Sequence, residues 1–326
     1  MRSRTPETRC QNSTLASARA SHGPIRALSQ GGPPPNSDVA PRLITPKEFL
    51  LFQALIYRQS GIWLSDVKTE LLTGRLSKRL RALRLSTFSE YYARVREDNE
   101  ECLAMLDAIT TNETHFFREP GHFKLLEEQI LPAWVNKADA GQRPHKIRAW
   151  SAGCSTGQEA YSLAMLLVDH LPPSTGWTVE IVATDLSRRA LAVAEEGVWN
   201  ADKAAEIPPA YLQAYTLKGV GENHGKIKAA PAIRIVRFLR LNLNDAIYPE
   251  IGRFDLIFCR NVMIYFDVES RRRVINKLLD RLVPEGYLFV GHAETLNTMC
   301  SKLRCVIPTV YASAEVDRKA KNASAR

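Results

Sequence analysis

One stretch restricts the folds open to this chain more than any other: Ile147 to Leu167, IRAWSAGCSTGQEAYSLAMLL. An apolar run (Ile147, Ala149, Trp150) stops at small residues from Ser151 to Gly157, and apolar residues then recur at helical spacing at Tyr161, Leu163, Ala164 and Leu167. The pattern predicts a strand, a tight loop and a helix. Gly153 and Gly157 permit a sharp turn and a close backbone approach, while the helix start offers free N–H donors at the positive end of its dipole. Such a loop suits a nucleotide-like ligand.

Downstream the alternation is regular. A strand over Val179–Thr184 ends at Asp185, and a helix follows over Ser187–Glu196. Strands over Ile233–Leu239 and Phe254–Cys259 lead to Asn242 and to Arg260-Asn261; a helix (Ser270–Leu282), a strand (Gly286–Val290) and a terminal hairpin (Arg304–Ala312) complete the series. Strands alternating with helices predict an α/β fold with a doubly wound, mostly parallel sheet, whose ligand lies at the carboxyl ends of the strands. The glycine loop, Asp185, Asn242 and Arg260-Asn261 should therefore converge. Asp185 lies 32 residues after Gly153, and the loop has no GxGxxG, which argues against a nicotinamide dinucleotide. Glu159, one turn into the first helix, is a second acid aimed at the same place and would repel a pyrophosphate. The pocket is thus expected to prefer a nucleoside bearing a cation, and S-adenosylmethionine is the obvious one.

The part before this sheet is different. Residues 1–44 carry six arginines against Glu7 and Asp38 and include Gly31-Gly32-Pro33-Pro34-Pro35, a composition expected of a disordered basic arm. From Thr45 to about residue 110 short helices follow, beginning with the capping signature Thr45-Pro46-Lys47-Glu48. The second, LLTGRLSKRLRALRL, has Arg75, Lys78, Arg79, Arg81 and Arg84 with no acid between Leu71 and Leu85. Their spacing sets a basic stripe opposite Leu72, Leu76, Leu80 and Leu83. Either a solvated face or a docking surface for something acidic would look like this, and no aromatics are interleaved for base stacking. The polar cluster Ile109 to Pro120, with the pair Phe116-Phe117, reads as a linker pinned by the Phe pair or as a lid over the pocket.

A chain of 326 residues, 45% apolar, has core enough for about two domains. No apolar stretch approaches the roughly 20 residues that span a bilayer, and no secretory leader is apparent, so a cytoplasmic, non-inserted, monomeric protein is expected. Six cysteines without a CxxC pair predict free thiols and no metal site. The formal charge of +9 leaves nucleic acid open as a partner on charge alone.

Five segments together resemble one family. They are Thr111–Arg118 (TNETHFFR), Ser155–Ser162 (STGQEAYS), Ala183-Thr184-Asp185, Phe258–Asp267 (FCRNVMIYFD) and Gly291–Glu294 (GHAE). The combination closely resembles the bacterial chemotaxis receptor methyltransferases, the protein-glutamate O-methyltransferases, over roughly Leu43 to Ala314. The chain departs from that pattern in its basic arm, at Ala160 and at Ala293.

The resemblance implies a class I, Rossmann-like S-adenosylmethionine-dependent methyltransferase domain over residues 111–316. It also implies an all-α receptor-docking domain over 45–110, a small antiparallel insertion at about 200–233, and a tail from 317 to 326. S-adenosylmethionine, leaving as S-adenosylhomocysteine, would be bound through Asn112, Thr114, Arg118, Glu159, Asp185, Asn242, Leu243, Arg260 and Asn261. Methyl groups would pass to glutamate side chains on the cytoplasmic helical bundle of a chemoreceptor, as part of sensory adaptation. Arg118 would orient the attacking carboxylate or the methionine end of the cofactor, and Tyr265 would line the methyl channel. The stripe bearing Arg75, Arg79, Arg81 and Arg84 would dock the acidic receptor.

Two other readings are weighed against this. A nucleic-acid methyltransferase commonly carries an aromatic-proline tetrapeptide after the fourth strand, where this chain reads Arg260-Asn261-Val262, so no nucleic-acid partner is expected. A non-catalytic module would keep the pocket and use the helical domain as an adaptor.

Overall fold

The computed structural model describes residues 43–296 and 303–313. Almost all of the basic arm, the 317–326 tail, Cys10 and Cys300 lie outside them.

Four helices build the first domain: α1 (Pro46–Ser60), α2 (Thr69–Leu83), α3 (Phe88–Glu97) and α4 (Asn99–Ile109). The expected capping box forms at α1, with the Glu48 N–H on the Thr45 hydroxyl and the Thr45 N–H on the Glu48 carboxylate. Thr87 and Glu90 repeat it at α3. Phe52, Leu72, Leu76, Tyr91 and Met105 are buried at the centre of this domain, each contributing about 2 kcal/mol of burial.

Between this domain and the sheet the chain runs through α5 (Pro120–Leu125), a π-turn (Leu126–Ile130) and α6 (Leu131–Asp139). Pro132 is the physical reason for the π-turn. It has no N–H for the carbonyl four residues back and its ring crowds that group, so the turn widens and the Leu131 N–H bonds Leu126 instead.

The remainder runs β1 (Lys146–Ala152), α7 (Gln158–His170), β2 (Thr178–Asp185), α8 (Arg188–Glu196), β3 (Val198–Asn200), α9 (Pro209–Tyr215), β4 (Thr216–Lys218), β5 (Lys226–Ala229) and β6 (Val236–Arg240). It continues with β7 (Phe254–Cys259), α10 (Val268–Asp280), β8 (Leu282–Val290), β9 (Leu303–Ile307) and β10 (Val310–Ser313). Seven strands form one sheet in the order β6-β2-β1-β7-β8-β10-β9, parallel except where β10 meets β8 and β9. The strand expected from Ile233 starts later, because Pro231–Ile233 is a 3-10 turn. The small antiparallel sheet is also present, ordered β3-β5-β4.

The β1 strand is central and fully covered, with Ile147, Ala149 and Trp150 all buried. On one side of it the chain order runs to β2 and β6; on the other it jumps to β7 and β8. That reversal opens a crevice at the carboxyl ends of β1 and β7. Among the described residues no helix is long and apolar enough to cross a membrane.

Candidate active site

The crevice is a cleft at the carboxyl ends of β1, β2 and β7. Its walls include Asn112, Thr114, Arg118, Glu159, Asp185, Asn242, Leu243, Arg260, Asn261 and Tyr265. Ser60, Ile62 and Ile109 of the helical domain close the remaining side, so both domains shape one cavity.

The glycine loop forms the floor. The N–H groups of Gly153 and Cys154 both bond the Thr184 carbonyl, at 2.7 and 2.9 Å, which ties the end of β1 to the end of β2. Gly153 has φ +89° and a Cβ there would lie 2.3 Å from Val262, so the loop can pass beneath the β7 turn only as glycine. Gly157, with φ +93°, caps α7 while approaching Ala194.

Asp185 is nearly buried. One carboxylate oxygen accepts the Ser155 N–H at 2.7 Å and the other the Ser187 N–H at 2.9 Å. Each oxygen keeps a second lone pair, enough for a pair of ligand hydroxyls. Burial pushes this carboxyl's pKa up, and the backbone donors from Ser187 and Ser155 oppose the shift.

Arg260 is the electrostatic centre of the cleft. Its side chain is only 1% exposed and lies 3.1 Å from Glu119 and 3.3 Å from Glu159, and it also donates to the Arg118 carbonyl. Glu159 in addition accepts from the Ser151 hydroxyl at 2.7 Å. The two carboxyls respond differently to one cation. Glu159 is held up by burial, which Arg260 only partly offsets; at Glu119 burial also raises the pKa, but Arg260 and the His292 N–H override it and hold the carboxyl below its ordinary value. Glu113, Glu159 and Asp185 line the cleft with Arg118 and Arg260, and the excess of acid suits a cationic ligand.

Sequence reasoning did not single out Glu119 or the role of Glu294. Glu119 follows Arg118 with φ +57° and sits at the start of α5. It gathers with His122 and His292, donor atoms within 4.8 Å of one another, although Arg260 already holds the shared carboxylate oxygen. Glu294 is 1% exposed and accepts the N–H groups of Gly291 (2.7 Å), Asn261 (2.8 Å) and Ile264 (3.1 Å). It clamps the turn from Asn261 (φ +57°) to Tyr265, which forms one cleft wall. The segment Gly291–Glu294 was the only sequence signal for it.

Other expected residues are placed as follows. Asn242 donates to the Gln59 carbonyl at 2.7 Å and to Asp245 at 2.9 Å, joining the rim to α1. Leu243 is buried beneath it. Asn112 contacts the glycine loop, its carbonyl accepting from the Ser155 hydroxyl at 2.9 Å. Phe116 and Phe117 are buried, the first edge-on to Trp199 and the second stacked on Tyr211, so the polar segment before them is both pinned and pocket-facing. Tyr265 stands at the mouth with the Lys68 ammonium 5.6 Å from its ring centre.

The basic stripe divides in two. Arg75 donates to the Ile109 carbonyl and, at 2.9 Å, to Thr111, and Arg79 forms a forked pair with Glu101 at 2.9 and 2.6 Å. These two are engaged inside the protein, whereas Lys78, Arg81 and Arg84 are exposed. Burying Glu101 beside Tyr91 requires Arg79 as its counter-ion. The thiols of Cys102, Cys154 and Cys259 are buried and unpaired, and Cys305 is exposed and unpaired.

Residues 112–312 match the family described as CheR methyltransferase, SAM binding domain, and residues 47–110 match CheR methyltransferase, all-alpha domain. Chemotaxis protein methyltransferase 2 of Pseudomonas aeruginosa is 38% identical over 275 residues, which cover 83% of this chain and 94% of that protein. The chemotaxis protein methyltransferase of Escherichia coli is 35% identical over 274 residues, 82% of this chain and 91% of that protein. Among solved structures, PKMT2 from Rickettsia typhi in complex with AdoHcy shares 18% identity over 45% of this chain and 21% of that one, with a TM-score of 0.29.

Proposed function

Because the chain belongs to the CheR methyltransferase family, whose model for the S-adenosylmethionine-binding domain it matches, we propose that it methylates glutamate side chains of chemoreceptors, forming glutamyl methyl esters by direct displacement. The observation that carries this reading is the convergence of Asn112, Arg118, Glu159, Asp185, Arg260 and Asn261, from separate segments, on one acid-rich cleft bounded by both domains.

The residues fit the cofactor. Asp185 has lone pairs free for ribose hydroxyls, Gly153 and Ser155 of the tight loop line the cleft beside it, and the carboxylate excess balances a sulfonium. When bound, S-adenosylmethionine supplies an electrophilic methyl carbon on sulfur that departs as a neutral thioether. A glutamate acceptor, with a pKa near about 4.3, is already ionised at neutral pH and needs no general base.

What the chain contributes is placement. Arg118, on the cleft wall and beside the Glu119–Arg260 pair, orients the acceptor carboxylate or the cofactor's methionine end. Tyr265 narrows the mouth through which the acceptor side chain enters, and Ile62 and Phe266 line the cleft beside it and help exclude water. In-line alignment of this kind supplies about 7 kcal/mol or more of barrier lowering. The exposed cations Lys78, Arg81 and Arg84 draw in the acidic receptor surface.

Mass spectrometry of receptor peptides after incubation with S-adenosylmethionine tests the proposal. A methyl on glutamate supports it; modification confined to lysine or to nucleic acid overturns it.

A further inference from the structure

Behind the cleft wall stands a ring nitrogen that no hydrogen bond satisfies. The His122 side chain is buried, its Nδ1 has no hydrogen-bond partner, and that atom lies 3.4 Å from a Glu119 carboxylate oxygen. The opposite edge of the ring fixes the tautomer. The Thr309 hydroxyl gives its single proton to the Val290 carbonyl at 2.8 Å, so toward His122 Nε2, 3.2 Å away, it can only accept. The ring proton therefore sits on Nε2, and Nδ1 presents a bare lone pair to a carboxylate. Two acceptors held face to face inside a protein repel unless a cation stands between them.

A third donor completes the set. His292 is exposed, its Nε2 lies 3.9 Å from the same Glu119 oxygen, and its ring is edge-on to that of His122 with centroids 5.5 Å apart. The three donor atoms lie within 4.8 Å of one another. Ligands of a tetrahedral Zn²⁺, bonded at about 2.0–2.1 Å, stand about 3.4 Å apart. That is the observed separation of His122 Nδ1 from the carboxylate. The bond from Nε2 to Thr309 is also what a zinc-bound histidine needs, since a ligating ring is oriented through its other N–H. Two imidazole nitrogens and one carboxylate oxygen, reached from the solvent side at His292, suit zinc better than calcium or magnesium and leave a position for water. None of the donors is a thiol, so cysteine spacing could not reveal the set.

Arg260 sets the consequence. It lies 3.1 Å from the same Glu119 oxygen, pairs with Glu159 and donates to the Arg118 carbonyl. A dication on Glu119 competes with Arg260 for that carboxylate and adds positive charge behind the wall that carries Arg118.

We propose that Glu119, His122 and His292 form a Zn²⁺ site behind the cleft wall, and that filling it weakens binding of the cationic cofactor. The added charge opposes a sulfonium but not the neutral thioether product, so the two ligands respond differently. This second part rests on the cofactor reading; the metal site stands without it.

Calorimetric titration of the reduced, chelator-treated full chain with a zinc salt reads the site directly. The comparison is His292→Ala, which removes an exposed ligand and keeps the backbone N–H that bonds Glu119. The wild type should bind an equivalent of Zn²⁺ that the variant binds about tenfold more weakly or worse, while the metal-free melting temperatures agree. A wild-type chain that binds no Zn²⁺, or that binds it no better than His292→Ala, overturns the site. With Zn²⁺ saturating, the dissociation constant for S-adenosylmethionine should rise about tenfold and that for S-adenosylhomocysteine far less. An equal change in both, or none in either, overturns the proposed consequence for the cofactor. A metal-free chain that binds neither nucleoside overturns the cofactor reading instead, and the zinc titration is unaffected by that result.

Discussion

Replacing Glu294 by Gln tests whether one buried carboxylate shapes the cleft wall. In the wild type its two oxygens take three backbone N–H groups, from Gly291 and Asn261 on one oxygen and from Ile264 on the other. The glutamine amide can keep its oxygen toward the first pair only by turning its NH2 group against the Ile264 N–H. One charge-assisted bond, worth about 1.5–3 kcal/mol, is lost, and a donor is left facing a donor. Part of this is returned, because the neutral amide avoids the desolvation that pushes the Glu294 carboxyl's pKa up. A net loss of about 2 kcal/mol should lower the melting temperature by roughly 3 °C for a chain of this size. The functional effect should be separate: with the Asn261–Tyr265 turn loosened, affinity for S-adenosylhomocysteine should fall about tenfold, or about 1.4 kcal/mol. Calorimetric titration and thermal unfolding read the two quantities. Unchanged affinity with a lowered melting temperature would refute the positioning role, and no change in either would refute the clamp.

Three further outcomes follow from the same geometry. Arg118→Ala should reduce turnover by on the order of a hundredfold while leaving the unfolding temperature near wild type; near-normal turnover in a steady-state assay removes it from the mechanism. Charge reversal separates the two halves of the basic stripe: Arg79→Glu strips buried Glu101 of its counter-ion and should cost about 3 kcal/mol in denaturant unfolding, whereas Arg81→Glu should leave stability alone and slow receptor methylation chiefly at low salt. His122 is 1% exposed and its pKa is pushed down to about 4, by burial first and then by Arg260 and His292 against the pull of Glu119. Below its unfolded value of about 6.5 the unfolded chain binds the extra proton, so stability should fall by about 3 kcal/mol as pH drops from 6.5 to 4. His122→Gln should flatten that part of the curve, and parallel curves for the two proteins would contradict the assignment.

What was legible in the sequence was the part governed by local pattern. The strand, glycine loop and helix around Gly153, the alternation that follows, and the Thr45 capping box depend on neighbours a few residues apart, and each appears where it was expected. Asp185 and Arg260 could be placed in one cleft because doubly wound sheets bring strand ends together. The rest depended on partners far along the chain. Arg75 and Arg79 looked like members of an exposed stripe because their partners, Ile109, Thr111 and Glu101, lie 22 to 36 residues away. Glu119 became visible only when Arg260, 141 residues on, folded against it. Ser60 and Ile62 closing the cleft depends on how α1 packs against the β7 turn, through Tyr57 and Asp267. Helical periodicity contains no term for that contact.

The central claim is that a receptor carboxylate receives the methyl group, and base lability tests it most directly. The full chain, methyl-labelled S-adenosylmethionine and chemoreceptor-containing membranes are incubated, the receptor band is isolated, and it is treated with base. The account predicts label that enters the receptor and is released as volatile methanol, since a glutamyl methyl ester hydrolyses in base. Label that survives the treatment on the receptor, or a chain that binds the cofactor yet labels no receptor, would contradict it.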